Sequence, residues 1–411
     1  MNPRTLGAVL LAAGFSVPAF AGITLIGKTA IPGNASDKSA LPTPPGSAIP
    51  ANLLGSFGSA IAYSGQDNRF IAIDDRGPGN GNVAWRCRFQ TFDIAIDPAA
   101  KDPVDVQLVA TTLLSTKDGQ PFTGNSGAYD ANDQAKGLRL DPEGVRFGPA
   151  GTLFVSDEYG PWIDEFSLDG RQLRRITTPT RFLVTKPDGS PENELPPSNL
   201  RGRQPNKGLE GLAITPDGSK LFAILQDPLI QDGALDAQGN RIGHNCRVLE
   251  LTLATGQTRE LVYPLESHKN GVNEMLAVND HEFLVLERDG KSGNSTVFRK
   301  IFKADFSSCK DVSGVDSLPS KALPDGAATK SVFLDFLDPK FGLAGSQMPE
   351  KIEGLAWGKD LADGRHTLVV TTDNDLDPEQ PSWFWVFAVD AADVPGLVLQ
   401  SPRVHQTSSA E

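Results

Sequence analysis

The sequence has few cysteines and histidines, the residues that bind zinc or build disulfide-rich folds. Its three cysteines lack the paired spacing of a zinc site, and its five histidines are dispersed along the chain. An oxidising compartment would permit one disulfide among Cys87, Cys246 and Cys309, but the odd number leaves at least one of them unpaired. We expect all three to pack as small, buried apolar groups.

Positive charge is also scarce. The chain has 38 lysines and arginines against 51 aspartates and glutamates, which gives a formal net charge of −13. Such a surface repels nucleic acid and anionic membranes, so neither is an expected partner, and it suits a soluble protein that handles cations. After the N-terminal segment, no stretch approaches the roughly 18 to 20 apolar residues that a membrane span requires.

The common signature of serine-nucleophile catalysis is absent too. The chain lacks the G-x-S-x-G elbow of an α/β-hydrolase. The glycine-rich stretch 77–82 opens no helix, so we interpret it as a loop. Any hydrolysis would then depend on a water molecule activated by a metal, with acidic side chains as proton carriers.

The N-terminus has the three parts of an export signal. Arg4 supplies a minimal positive region, residues 6–15 form an apolar core, and Ala19-Phe20-Ala21 provides a small-x-small cleavage site. We therefore predict a signal peptide over residues 1–21 and a mature chain that is periplasmic or secreted. An uncleaved anchor is the alternative, because the apolar character continues as far as Ile26.

A repeated unit organises the rest of the chain. Each copy is a short apolar strand, a turn with Gly, Asp or Asn, and a second apolar strand that ends in acidic residues, which is the pattern of a buried hairpin. The five copies span residues 57–77, 141–160, 207–227, 271–290 and 351–375. A third strand follows each hairpin, at residues 88–93, 162–169, 246–252, 298–305 and 383–390, and we expect a fourth edge strand in most units.

The spacing of the copies predicts the fold. The aligned positions, separated by 84, 67, 64 and 79 residues, are Ser59, Glu143, Glu210, Glu274 and Glu353. These periods suit four-stranded blades, so we predict an all-β propeller of five or six blades that forms a single domain over residues 22–411. A β-sandwich of two domains would not explain why a Glu-Gly dipeptide recurs at the same place in the hairpins.

The remaining segments have expected places in this propeller. The N-terminal strand 23–29 should join the last blade and close the ring. Three insertions rich in Gly, Pro, Asp and Ser should form loops over the faces, at residues 115–140, 180–206 and 307–350. We expect the protein to be a monomer.

The recurrent glutamates are the candidate metal ligands. In a propeller the first strand of each blade lines the central channel, so four side chains should converge near the axis: Glu143, Glu210, Glu274 and Glu353. Crowded carboxylates repel one another unless a cation, protons or basic side chains compensate them, and all-oxygen ligands suit calcium best. We predict a calcium site formed by these glutamates and Asp373. Structural salt bridges between adjacent blades are the alternative.

Further charged residues accompany the hairpins and are expected to rim the same face. Asp157 or Glu158 would carry a proton during hydrolysis, and Asp373 opens a D-x-D-x-D run in which Pro378 stands where an EF-hand loop needs glycine. Four basic residues flank the acids: Arg76, Arg139, Lys207 and Arg288. We predict that the three arginines bind an anionic oxygen of the substrate, with neutralisation of neighbouring acids as the alternative.

Seven short motifs are spread over residues 56–376. They are D-D-R-G (74–77), D-P-E-G-V-R-F (141–147), V-S-D-E-Y-G-P (155–161), N-K-G-L-E-G-L (206–212), N-E-M-L-A (273–277), L-V-L-E-R (284–288) and I-E-G-L-A (352–356). Together they resemble the phytase-like domain family, which is also described as having esterase-like activity. The resemblance implies an exported propeller that hydrolyses phosphate esters or other esters.

These features lead to one functional prediction and one alternative. We expect a calcium-dependent hydrolase of small anionic esters, with phosphomonoesters favoured over carboxylic esters or lactones. The alternative is a non-catalytic propeller that binds a ligand or a protein partner, in which the acidic ring is structural. Propellers host both roles, so the fold does not choose between them.

Overall fold

A computed structural model describes residues 22–43 and 48–400 of the chain. Within these residues the chain forms five four-stranded antiparallel sheets, arranged as the blades of one propeller. The inner strand of each blade contacts the inner strands of its two neighbours, so the sheets close into a ring around a central channel. The predicted all-β propeller is confirmed, and it has five blades.

The blades follow one another along the chain, except that the first strand, β1 (Thr24–Ile31), belongs to the last blade. Blade 1 comprises β2 (Ala60–Tyr63), β3 (Arg69–Ile73), β4 (Arg88–Ile96) and β5 (Val104–Leu113). Blade 2 comprises β6 (Pro142–Phe147), β7 (Leu153–Asp157), β8 (Ile163–Phe166) and β9 (Gln172–Ile176). Blade 3 comprises β10 (Leu209–Ile214), β11 (Lys220–Leu225), β12 (Asn245–Thr252) and β13 (Thr258–Pro264). Blade 4 comprises β14 (Asn270–Ala277), β15 (Glu282–Asp289), β16 (Arg299–Asp305) and β17 (Thr329–Asp335).

Blade 5 combines the two ends of the described chain. Its inner three strands are β18 (Lys351–Trp357), β19 (His366–Asp373) and β20 (Ser382–Val389). Its outermost strand is β1, which pairs antiparallel with β20 from Thr24 opposite Ala388 to Ile31 opposite Ser382. The ring is therefore closed by the N-terminal strand, as predicted.

The inner strands are apolar because each lies between two neighbouring blades. Every residue of β6 and β10 is buried, and apolar clusters fill the space between adjacent sheets, where for example Phe222 of blade 3 packs on Phe283 of blade 4 with ring centroids 4.5 Å apart. The turn between β10 and β11 places Gly218 at a φ of +72°, a conformation that glycine adopts without steric cost. Each inner strand begins at one end of the channel, which we call the channel mouth. The hairpin turn that follows each inner strand lies at the other end of the channel.

The predicted loop segments contain some regular structure. In the described part of the chain, the connections hold short 3₁₀ turns at Gln134–Lys136, Thr180–Phe182, Pro191–Glu194, Ile230–Asp232, Gly293–Ser295 and Pro339–Phe341. The segment 307–350 is not entirely loop, because it contains β17, the edge strand that pairs with β16. All three cysteines are buried and unpaired, as expected.

The predicted signal peptide, residues 1–21, lies outside the described residues. Across residues 22–43 and 48–400, no helix is both long and apolar enough to cross a membrane.

Candidate cation site at the channel mouth

Four of the five inner strands carry a β-bulge near the channel mouth. In each strand one extra residue interrupts the pairing with the second strand of the hairpin: Glu143 in β6, Glu210 in β10, Asn273 in β14 and Glu353 in β18. A bulged residue has no cross-strand partner, and the bulge re-aims its side chain. In blade 1 the corresponding residue, Ser59, directly precedes β2.

Glu274 does not occupy the bulged position, although the repeat alignment matched it with Glu143, Glu210 and Glu353. The bulged residue of blade 4 is Asn273, and Glu274 lies where blades 2, 3 and 5 have the glycine of their Glu-Gly pair. The alignment is therefore off by one residue in this blade. The error arises because Glu274 was matched by residue type, whereas the bulge is set by the pairing of Val272 with Glu287.

The bulged side chains and Ser59 form the axial ring, which we define as Ser59, Glu143, Glu210, Asn273 and Glu353. The Asn273 side-chain amide donates to Glu210 Oε1 at 3.0 Å and to Glu353 Oε1 at 3.3 Å. Side chains from blades 3, 4 and 5 therefore meet directly. No member of the ring is more than 7% exposed to solvent.

The axial ring contains oxygen atoms that lack a partner among the described residues. Four of them are buried and form no hydrogen bond there: Ser59 Oγ, Glu210 Oε2, Asn273 Oδ1 and Glu353 Oε2. Glu143 forms neither a hydrogen bond nor an ion pair with any described residue. Each unsatisfied buried polar group costs about 1 to 3 kcal/mol, so a set of them around one axis calls for protons or a bound cation.

Three carboxylates beside the ring, which we call the rim carboxylates, lie close enough together to bind one ion: Asp141, Glu143 and Glu158. One oxygen atom of each lies within 4.8 Å of the others. The Arg76 guanidinium contacts Asp141 Oδ2 at 2.6 Å and Glu158 Oε2 at 3.4 Å, which leaves Glu158 Oε1 buried and without a hydrogen bond. Glu143 belongs to both groups and joins the rim to the ring.

Burial makes Glu143, Glu158 and Glu210 difficult to ionise. Desolvation, reinforced by the nearby Asp141 carboxylate, raises the pKa of Glu158 to about 7. Desolvation also raises the pKa values of Glu143 and Glu210 well above the ordinary range, and neighbouring glutamates act in the same direction for both. Near neutral pH the group therefore holds protons unless a cation compensates its charge.

The ligand atoms fit calcium. Carboxylate and amide oxygens predominate in the ring and the rim, and neither group contains a histidine or a cysteine. Calcium takes six to eight oxygen ligands in flexible geometry, whereas zinc prefers nitrogen and sulfur. The unpaired oxygens, the clustered rim carboxylates and the raised pKa values of Glu143 and Glu158 are compatible with a divalent cation of this type.

The arginines predicted to bind substrate are already engaged by carboxylates. Arg76 pairs with two rim carboxylates, and Arg288 pairs with Glu353 at 2.8 Å. Arg139 is not brought to the ring; it pairs with Glu194 at 3.2 Å in the adjoining loop and lies over the Tyr159 ring. These contacts correspond to the neutralising role that was the alternative.

Asp157 and Glu158, the two predicted proton carriers, have different surroundings. Asp157 accepts hydrogen bonds from the backbone N–H groups of Asp141, Tyr159 and Gly160, at 2.9 to 3.0 Å, so both of its oxygens shape the chain reversal. Glu158 keeps one unpaired oxygen beside the ring. The geometry therefore favours Glu158 over Asp157 as a group that exchanges protons.

Asp373 lies in a separate acidic cluster around a lysine. The Lys351 ammonium is 3.1 Å from Asp373 and 3.7 Å from Asp75, and it also pairs with Asp375. Desolvation raises the pKa of Asp373 to about 6, and Lys351 opposes that rise. In this cluster the ammonium group of Lys351 provides positive charge that compensates the carboxylates.

Glu274 also has a cationic partner inside the protein. Its carboxylate contacts Arg146 Nη2 at 2.9 Å and accepts hydrogen bonds from the backbone N–H groups of Leu212 and Met275. Arg146 in turn donates to the carbonyls of Ile61 and Met275 and so links three blades across the channel. Beyond it, at the end away from the mouth, an apolar cavity of about 410 Å³ opens.

A sequence model of one protein family matches residues 52–376, and its description is phytase-like, esterase-like activity of phytase. The match covers most of the chain and all five axial-ring residues. The chain belongs to the phytase-like family. This confirms the resemblance inferred from the seven motifs.

Relatives of this phytase-like chain add little about its chemistry. An uncharacterised secreted protein of Arthroderma benhamiae is 27% identical over 350 residues, which are 67% of this chain and 64% of that protein. The chain thus spans about 64% of the length of this curated relative. Among solved structures, the calcium-binding protein regucalcin of Agrobacterium tumefaciens is 9% identical with a TM-score of 0.35, over 86% of this chain and 95% of regucalcin. A streptogramin B lyase is 11% identical with a TM-score of 0.31, over 89% of this chain and 99% of the lyase.

The motifs that carry the family resemblance also carry the rim carboxylates. Asp141 and Glu143 lie in D-P-E-G-V-R-F, and Glu158 lies in V-S-D-E-Y-G-P. Sequence reasoning missed two residues of the channel, Asn273 and Arg146. The available signal for Arg146 was a charged residue between the apolar Val145 and Phe147 of an inner strand, and Asn273 had no signal beyond its position beside Glu274.

Proposed function

We propose that this phytase-like chain hydrolyses ester bonds with a calcium ion bound at the channel mouth. The main support is the set of unpaired, buried oxygens that the axial-ring residues of four blades provide, next to the three rim carboxylates. The family description, which names phytase and esterase-like activity, is consistent with this class of reaction.

The rim carboxylates would hold the ion, and Glu210 and Glu353 of the axial ring would complete its oxygen surroundings. A calcium ion bound there would polarise the ester oxygen and make a nearby water molecule more acidic. Arg76 fixes Asp141 and Glu158 in position through its ion pairs, so it is a positioning residue. Arg288 does the same for Glu353.

Glu158 is the group best placed to move a proton. Its unpaired Oε1 is buried beside the ring while Oε2 faces Arg76, so one carboxylate oxygen stays available to exchange a proton. It would accept a proton from the attacking water as the water oxygen bonds to the ester phosphorus or carbonyl carbon. It would then return that proton to the leaving oxygen as the ester bond breaks.

Cationic side chains around the mouth favour an anionic substrate. Arg76, Lys207, Arg288 and Lys351 all lie close enough to the ring or rim carboxylates to affect their pKa values. Positive groups beside a metal site attract phosphate more strongly than a neutral carboxylic ester. We therefore favour small phosphomonoesters over carboxylic esters or lactones, acted on outside the cell or in the periplasm.

A non-catalytic binding propeller is the second candidate. Its support is that Asp141 and Glu353 already have arginine partners. If the remaining ring acids were protonated, the ring would be neutralised without a metal ion and would serve only to pack the blades together. In that case calcium, if it binds, would raise the melting temperature without any turnover.

Hydrolysis of two test esters distinguishes these functions. The mature chain should hydrolyse p-nitrophenyl phosphate faster than p-nitrophenyl acetate, and chelation of calcium should abolish both activities. Glu143→Gln should be inactive yet folded, while Lys303→Met, which removes an ion pair with Glu282 at the far end of blade 4, should be fully active. Absence of both activities from a folded, calcium-loaded wild-type protein would refute the hydrolase.

A further inference from the structure

Lys207 differs from the other basic residues at the channel mouth. Arg76, Arg288 and Lys351 each contact at least one carboxylate within 4.0 Å. Among the described residues, Lys207 has no such contact, and its ammonium donates only to the side-chain oxygen of Gln226. Within the described residues, Lys207 is therefore the one of these four cations that forms no ion pair with a carboxylate.

Lys207 is also held against the candidate site. Gln226, which accepts from Lys207, donates through its amide to Glu210 Oε1 of the axial ring. Gly208, the next residue, packs on the backbone carbonyl of Glu158, where an added Cβ would lie 2.1 Å from the oxygen. Lys207 is thus fixed between the ring and the rim by its side chain and by its backbone.

The side chain remains accessible from solvent. Lys207 is partly exposed, as are Arg288 and Lys351, whereas Arg76 is buried. An ammonium group without a carboxylate partner is a point charge that can bind a phosphate oxygen without first breaking an ion pair.

We propose that Lys207 binds the anionic oxygen of the substrate and selects phosphate esters over neutral esters. This inference rests on the proposed hydrolase function and names the residue that confers its preference for anions. The predicted arginine clamp is then replaced by one lysine oriented by Gln226.

Steady-state kinetics with two esters tests this role. Lys207→Met should raise the KM for p-nitrophenyl phosphate by about 10-fold or more, the effect of losing one charged hydrogen bond. Its KM for the neutral p-nitrophenyl acetate should change by less than about 2-fold, because that ester has no anionic oxygen to lose. Lys207→Arg should retain most of the phosphate preference, and Lys303→Met serves as the matched control. Equal changes for both esters, or no change for either, would overturn the proposal.

Phosphate binding separates this inference from the hydrolase itself. If the wild-type chain hydrolyses neither ester, calorimetric titration of inorganic phosphate into the calcium-loaded protein still tests Lys207. The dissociation constant should rise about 10-fold in Lys207→Met, or in Lys207→Gln if the methionine variant does not fold. Absence of phosphate binding by wild type, or equal binding by the variants, would overturn the role of Lys207.

Discussion

The axial ring and the Arg146–Glu274 pair lie in the same channel, yet Glu143 and Glu274 are in opposite situations. Glu274 has a guanidinium at 2.9 Å and two backbone N–H donors. The Glu143 side chain has no hydrogen bond or ion pair with any described residue, and Glu210 accepts only from the neutral side-chain amides of Gln226 and Asn273. Glu353 resembles Glu274, because it has an arginine partner, Arg288, at 2.8 Å. Burial of an acid therefore does not by itself mark a candidate cation site in this channel; among the described residues, the lack of a cationic partner separates Glu143 and Glu210 from Glu274.

Removal of Arg146 should have the largest effect on stability. Arg146→Met leaves Glu274 buried without its cation, and breaking a buried ion pair in this way costs about 3 to 5 kcal/mol. Guanidinium denaturation of the metal-free protein measures the loss. Lys303→Met, which removes a more exposed pair, should cost less than about 1 kcal/mol. A small effect of Arg146→Met would show that Glu274 does not depend on its arginine partner, and so does not differ in this respect from Glu143.

The pH dependence of stability should reveal the uncompensated carboxylates. Desolvation raises the pKa of Glu158 from 4.5 to about 7. A group with a raised folded-state pKa stabilises the protein below its unfolded pKa, and this contribution is lost as the pH rises through the folded pKa. The metal-free protein should therefore lose on the order of 3 kcal/mol from Glu158 between about pH 5 and about pH 8.

Calcium supplies the control for that experiment. If calcium binds the ionised carboxylates as proposed, saturating calcium should remove most of the loss at the higher pH. Thermal denaturation with calcium and with chelator measures both states. Identical pH profiles in the two conditions would mean that calcium does not compensate these groups.

Glu143→Gln should separate calcium binding from folding. The substitution removes a carboxylate shared by the ring and the rim, so calcium affinity measured by calorimetry should fall about 10- to 100-fold. Metal-free stability should be unchanged or higher, because one source of repulsion among buried acids is gone. Glu274→Gln is the matched control and should keep the affinity within about 3-fold of wild type. A loss of calcium affinity in Glu274→Gln but not in Glu143→Gln would place the cation beside Glu274 and not at the axial ring.

Ser59→Ala should have the smallest effect. Ser59 is the neutral member of the ring, and its hydroxyl is buried without a hydrogen bond. Its loss should weaken calcium binding by no more than about 3-fold and leave metal-free stability within about 0.5 kcal/mol of wild type. A loss as large as that of Glu143→Gln would show that ligand charge is not what matters in the ring.

The fold was predictable from the sequence because each blade repeats a local pattern. Hairpin turns and apolar strands are encoded within each unit, and the units recur at regular spacing. The N-terminal strand provides the outermost strand of blade 5. The site was only partly predictable, because its geometry depends on register and on distant contacts. A one-residue shift of the bulge separates Asn273 from Glu274, and Arg146 contacts Met275 across 129 residues of chain. Sequence spacing also cannot show which basic residues form ion pairs with carboxylates, as the three arginines do, and which do not, as in the case of Lys207.

Anomalous diffraction from crystals grown with calcium tests the central claim most directly. An anomalous peak should appear at the channel mouth, about 2.3 to 2.6 Å from a carboxylate oxygen of Glu143. No peak should appear beside Glu274, whose charge is compensated by Arg146. Calcium found only at the cluster around Lys351, or no peak at saturating calcium, would contradict the assignment of the axial ring and rim as a cation site.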